Sequence, residues 1–172
     1  MKEDIDRLAE FGIAPQWIAE RGLCRHPEAE ELVLAEVGAD GREHYLIPAA
    51  ACAWQAMQQA AAADGIELFI VSAHRGVERQ AAIVRRKLEA GEALADILQV
   101  CAPPGYSEHH SGRAIDIGTP EASSLNVEFE TTPAFAWLMA QAGNYGFRLS
   151  YPAGNAQGYV YEPWHWCWHA TP

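Results

Sequence analysis

The chain has 172 residues, of which 49% are hydrophobic and 20% charged. That composition suits one globular domain with a real core and excludes a disordered chain. Twelve Lys plus Arg against 23 Asp plus Glu leave a net charge of −11, so the chain lacks the basic excess that nucleic-acid partners and anionic membrane surfaces require, and no apolar run reaches the roughly 20 residues of a bilayer span.

The chain opens MKEDIDRLAEFGI. Acids interrupt it every few positions, so it lacks the apolar stretch of about 7–15 residues that an export signal carries, and the expected compartment is the cytoplasm. Residues 2–12 and 15–22 are predicted helices, broken between Gly12 and Pro15. Residues 31–37 and 43–47 are predicted strands of a hairpin around the turn GADG. Pro48 opens an Ala-rich helix that Gly65 stops. IELFIVSA, residues 66–73, is a predicted strand. An amphipathic helix over 77–90 ends at Gly91, and a short helix follows over 92–99.

Residues 102–112 form a Pro/Gly loop, and RAIDIG, residues 113–118, a short strand. Thr132 is the predicted cap of a helix with Pro133 at its first position, running to Ala142. Residues 146–151 and 157–161 are candidate final strands. Helices and strands are segregated in pairs, which favours an α+β domain with a small, mainly antiparallel sheet flanked by helices. Cys24, Cys52, Cys101 and Cys167 form no CxxC pair, so they are expected as free, buried thiols of a reducing compartment.

Four of the seven histidines lie in two segments, SEHHSGRAIDIG and EPWHWCWH, and each segment carries acids. His with Asp or Glu is the ligand set of a catalytic zinc that keeps one position open. Along RAIDI, alternation puts Ala114 and Asp116 on one face and Ile115 and Ile117 on the other. The Ile face suits a core. The Asp116 face then meets whatever the preceding loop delivers, and the residues alone leave His109 and His110 equally eligible.

Glu162 and His165 are three apart, so a turn at Pro163 brings them to one side, whereas a straight strand would oppose them. A Glu beside a metal-binding His can take a proton from water without being a ligand itself. Trp166 and Trp168 read as core packing, and Trp164 as a wall of the substrate site. In VSAHRGVERQ, Arg75 and Gln80 leave a strand end for a helix and can reach into a cleft. Arg offers the planar two-pronged donor that a carboxylate fits. His74 reads as structural.

Together these segments resemble the VanY-type zinc D-alanyl-D-alanine carboxypeptidases. SAHRGVERQ resembles their Ser-x-x-Arg-x4-Gln stretch, GYSEHHSGRAIDI their Ser-x-His-x2-Gly-x-Ala-x-Asp motif, and EPWHW their Glu-x-Trp-His motif. The three occur in the family's order within residues 72–166. The resemblance implies a hedgehog/DD-peptidase-like fold with residues 66–169 as the zinc peptidase core of a single domain over 1–172. Residues 1–65, two helices and a hairpin, stand outside it with no assigned role.

The resemblance further implies one Zn2+ per chain, held by His109, Asp116 and His165, because the motif takes the His two after Ser107. Glu162 would be the catalytic base, Arg75 would bind substrate or the developing oxyanion, and Gln80, Ser107 and Trp164 would line the site. The implied substrate is a peptidoglycan stem peptide, as precursor or fragment, losing a C-terminal D-alanine in a D,D- or L,D-reaction. The tail Trp166-Cys167-Trp168-His169 departs from the family's usual Arg-Tyr-type continuation, and His74 stands where an aromatic residue is common. Two other readings remain at this point: an endopeptidase of the same superfamily, and a non-catalytic zinc-stabilised module in which Cys167 or His169 closes the coordination.

Overall fold

The computed structural model of the chain describes residues 7–122 and 125–170. The start of the helix expected over 2–12 lies outside the described residues, and residues 7–10 are helical. Then follow α1 (Pro15–Glu20), the strands β1 (Val33–Val37) and β2 (Glu43–Leu46), α2 (Pro48–Ala63), β3 (Phe69–Ser72), α3 (Val77–Glu89) and α4 (Leu94–Val100). After the loop come β4 (Ala114–Gly118), α5 (Pro133–Gln141), β5 (Phe147–Leu149) and β6 (His165–Trp168). Short 3-10 turns cover Glu108–Ser111, Val127–Thr131 and Ala142–Tyr145.

Four strands form one sheet in the order β3-β4-β6-β5, every pair antiparallel. The hairpin β1–β2 is a separate two-stranded ribbon. The architecture is therefore the expected α+β arrangement.

Local sequence accounts for most of these elements. Pro48 and Pro133 sit at first helical positions, where a missing N–H costs nothing. The Thr132 hydroxyl caps α5 by accepting from the Phe135 N–H. On α2, Ala50, Trp54, Met57 and Ala61 recur at helical spacing and are all buried. On β4, Ile115 and Ile117 turn into the same core as Ile70, Phe129, Phe147 and Trp166.

A second, smaller core joins Phe11, Ile13 and Ile18 to Ala81 and Val84 of α3 and to Ile97 of α4. The N-terminal third thus packs on the rest of the chain. Between α1 and β1 the backbone also runs along the 102–112 loop, with His26 N–H donating to Gly105 O (2.9 Å) and Ala29 N–H to His110 O (2.8 Å).

Two expectations need correction. Residues 157–161 are not a strand. Gly158 has φ +69°, the Asn155 side chain bonds both backbone groups of Tyr159, and Val160 N–H finds a single partner in Gln99 O. Backbone groups satisfied one by one in this way build a loop and not a ladder. The thiols also divide: Cys101 and Cys167 are buried and free, but Cys24 and Cys52 are free and exposed.

Candidate metal centre

The site grows from strand register. β4 and β6 pair so that Asp116 lies directly opposite His165. The turn expected at Pro163 is present, with His165 N–H donating to Glu162 O (3.1 Å), and it carries Glu162 to the same side as His165. His109 comes from the 3-10 turn before β4. That turn ends at Gly112 in the left-handed region (φ +64°), where a Cβ would stand 2.9 Å from Leu32 Cδ2 and 3.1 Å from Ile47 Cγ2. Glycine answers both demands, the positive φ and the close approach of the N-terminal segment.

One atom from each of His109, Asp116 and His165 lies within 4.8 Å of the others, and all three residues are buried. His109 Nε2 is 3.3 Å from Asp116 Oδ2, and His165 Nδ1 is 3.0 Å from Asp116 Oδ1. Glu162 Oε2 stands 3.9 Å from His165 Nδ1. Two imidazole nitrogens and one carboxylate oxygen, buried together, are the donor set that zinc takes when it keeps a position open. Neither Cys167 nor His169 joins this group among the described residues.

The adjacent histidines, alike in chemistry, have opposite fates. His110 donates from Nδ1 to Arg75 O (2.6 Å) and accepts at Nε2 from Gly105 N–H (3.1 Å). Both its nitrogens are spent on the backbone, and burial drops its pKa to about 4. His109 donates from Nδ1 to Ala73 O (2.7 Å). That bond leaves the Nε2 lone pair facing Asp116.

The electrostatics are those of a site made for a cation. Burial alone would raise Asp116, but the two imidazoles outweigh it and hold the carboxyl far below its usual range. Burial opposes charge on His165, yet hydrogen bonds to Asp116 and Glu108 lift it to about 10. Burial lowers His109. Glu162 is pushed up to about 7 by burial, partly countered by the positive charges of His165 and Arg75.

Beside these groups lies a cavity of about 480 Å³. Arg75, Ser107 and Trp164 line it, as the sequence suggested, together with Glu162 and the three metal-ligand candidates. Gln80 does not. It is fully buried, and its amide donates to Ala102 O (2.6 Å) and Cys101 Sγ (3.0 Å). Its spacing after Arg75 puts it on the inner face of α3, so it braces the wall from behind.

Sequence reasoning passed over four contributors. Tyr151 and Tyr159 line the cavity with their rings 4.8 Å apart, and Tyr151 lies 4.7 Å from the His165 ring. The Arg21 guanidinium stacks on both Trp17 and Tyr159 and donates to Leu98 O (2.8 Å). Glu108 accepts from His165 Nε2 (2.9 Å). Its position next to His109, a carboxylate beside a candidate ligand, was the available signal.

The family model described as VanY, D-alanyl-D-alanine carboxypeptidase, matches residues 43–171. A putative carboxypeptidase YodJ of Bacillus subtilis (strain 168) is 35% identical over 146 residues, which cover 80% of this chain and 53% of that protein. The chain thus spans about half the length of that relative. Among solved structures, the LdcB LD-carboxypeptidase superposes with a TM-score of 0.74 at 32% identity, covering 82% of this chain and 69% of the other. A variant of the vancomycin-resistance D,D-pentapeptidase VanY from a VanB-type cassette, in complex with Zn(II), superposes with a TM-score of 0.64 at 27% identity, covering 84% and 82%.

Proposed function

The chain belongs to the VanY family of D-alanyl-D-alanine carboxypeptidases, and from that premise we propose that it is a zinc-dependent carboxypeptidase. It removes a C-terminal D-alanine from peptidoglycan-type stem peptides, in a D,D- or L,D-reaction. The observation that carries this reading is the convergence of His109, Asp116 and His165 beside Glu162 on one cavity. A purely structural zinc site closes with a fourth protein ligand and needs no base. The absence of Cys167 and His169 from the described ligand group favours the enzyme over a binding module.

In this reading His109 Nε2, Asp116 and His165 Nδ1 hold one Zn2+ per chain. When bound, zinc supplies a Lewis acid that polarises the scissile carbonyl and makes water a better nucleophile. The Glu162 carboxylate takes a proton from the attacking water and returns it to the leaving amine, a service worth about 10²–10⁴ in rate. Arg75 holds the developing oxyanion or the substrate carboxylate from the cavity wall. Ser107 and Trp164 shape the space around the peptide, and the buried Gln80 keeps that wall in place.

We further propose one domain over residues 1–172, with 66–169 as the peptidase core and the first 65 residues bracing it. The small core shared by Ile13, Ile18 and α3 supports this. No described helix is long and apolar enough to cross a membrane. Four free thiols support action in a reducing cytoplasm on soluble precursors or recycled fragments, and the net charge of −11 supports a peptide partner over a nucleic acid.

The test is mass spectrometry of products from pentapeptide, tetrapeptide and free D-Ala-D-Ala, each with and without chelator. Loss of one alanine, abolished by chelator and blocked by amidating the peptide terminus, is expected. Equal cleavage of the amidated peptide would move the reading to an endopeptidase, and no cleavage of any member would sink it.

A further inference from the structure

The two candidate metal-binding histidines offer opposite ring nitrogens to the site: Nε2 from His109 and Nδ1 from His165. A neutral imidazole has one N–H and one lone pair, so the partner of the remote nitrogen decides which atom can bind a metal. For His109 that partner is the Ala73 carbonyl, 2.7 Å from Nδ1. For His165 it is the carboxylate of Glu108, whose Oε2 lies 2.9 Å from Nε2.

His165 needs such a partner more than His109 does. Its metal-facing Nδ1 lies 3.0 Å from Asp116 Oδ1, and that oxygen would readily accept a proton placed on Nδ1. With the proton there, the lone pair turns away from the site. Only a second carboxylate can match that pull, and Glu108 offers one on the other side of the ring, its Oε2 2.9 Å from Nε2 against 3.0 Å for Asp116 Oδ1 at Nδ1. Glu108 is itself fixed: the Ser150 hydroxyl donates to the same Oε2 at 2.6 Å. Ser150 follows β5, and its N–H donates to His165 O at 3.3 Å. Glu108 meets the ring at Nε2 and does not line the cavity, whereas Glu162 lines it and stands 3.9 Å from Nδ1, so the two acids have separate places.

We propose that Glu108 is a positioning residue for the metal centre: its carboxylate holds the proton of His165 on Nε2 and thereby presents Nδ1 to zinc, with Ser150 fixing the carboxylate. The inference rests on the metal-centre reading of His109, Asp116 and His165.

The test measures the zinc dissociation constant by chelator competition for wild type, E108A, E108Q and S150A, with kcat and KM on a stem peptide and nitrogen-15 NMR of the His165 ring. E108A is expected to bind zinc about 10- to 100-fold more weakly, and the zinc-loaded protein to lose kcat with KM held. E108Q keeps an acceptor for the Nε2 proton and is expected to recover most of the affinity. S150A falls between E108Q and wild type. The His165 spectrum should show the Nε2–H tautomer in zinc-loaded wild type and a shift towards Nδ1–H in metal-free E108A. If E108A fails to fold, E108Q and S150A carry the test by their affinities and spectra. Wild-type affinity and an unchanged His165 tautomer in the folded variants would overturn the assignment of Glu108. Failure of wild type itself to bind zinc would instead overturn the metal-centre reading.

Discussion

The two sides of the cavity are built by different means. The metal side is carried by β4, β6 and the turn before β4, where strand register and short hydrogen bonds fix each ligand candidate: Asp116 opposite His165, His109 tied to Ala73, His165 tied to Glu108. The other side, which includes Tyr151 and Tyr159, is a loop wall braced from the N-terminal third through Arg21. That wall also holds polar atoms with no hydrogen-bond partner among the described residues, Tyr159 OH and Arg21 Nη2. The chemistry is thus set by strand register and one short turn, while the shape presented to substrate depends on packing from distant sequence.

Asp116→Ala strikes the metal side hardest, because it removes a ligand and leaves two buried imidazoles without their shared acid. It should abolish stoichiometric zinc binding, read by metal analysis after dialysis, and reduce turnover to background.

Glu162→Gln should keep zinc and lose about 10²–10⁴ in kcat. Wild-type turnover in that variant would refute the role of Glu162 as base.

The pH dependence of zinc binding separates the two sides further. In the metal-free protein His165 is lifted to about 10, so at neutral pH its ring is protonated, and Nδ1 must give up its proton to bind a metal. Zinc uptake should therefore release about one proton, and affinity should rise about tenfold per pH unit until the pH nears 10. Calorimetry in buffers of different ionisation enthalpy counts the proton. A pH-independent affinity between 6 and 8 would show that no proton leaves His165 when zinc binds.

The smallest effect belongs to the loop wall. Arg21→Ala removes a cation stacked on Trp17 and Tyr159, a contact worth about 0.5–2 kcal/mol. It should lower the melting temperature by a few degrees and raise KM severalfold, with kcat and zinc affinity held. A fall in zinc affinity would mean that the two sides are not separable.

Much of the site was legible in the sequence because it rests on short-range geometry. Alternation on β4 separates Asp116 from the Ile115 and Ile117 face, and a Pro163 turn is enough to bring Glu162 beside His165. Pro48 likewise marked the start of α2, and the Thr132 cap with Pro133 that of α5, from local chemistry. The strand expected over 157–161 failed because Tyr159 and Val160 satisfy their backbone groups through Asn155 and Gln99, partners that no periodicity reveals. Gln80 was misplaced for a related reason: spacing put it near Arg75, but only the packed position of α4 and the loop after it decides whether that face is wall or interior.

What the sequence determined by itself was the chemical inventory: an α+β chain with two imidazoles, two acids and an arginine at spacings a metal peptidase uses. Those features live in side-chain identity and in turns of a few residues. The tertiary structure decided which nitrogen of which histidine faces the site, for the proton on each ring is placed by Ala73, Arg75 or Glu108, partners 36, 35 and 57 positions away. Hydrogen bonds across such separations exist only once the sheet and its loops have closed, so no reading of neighbours along the chain could have supplied them.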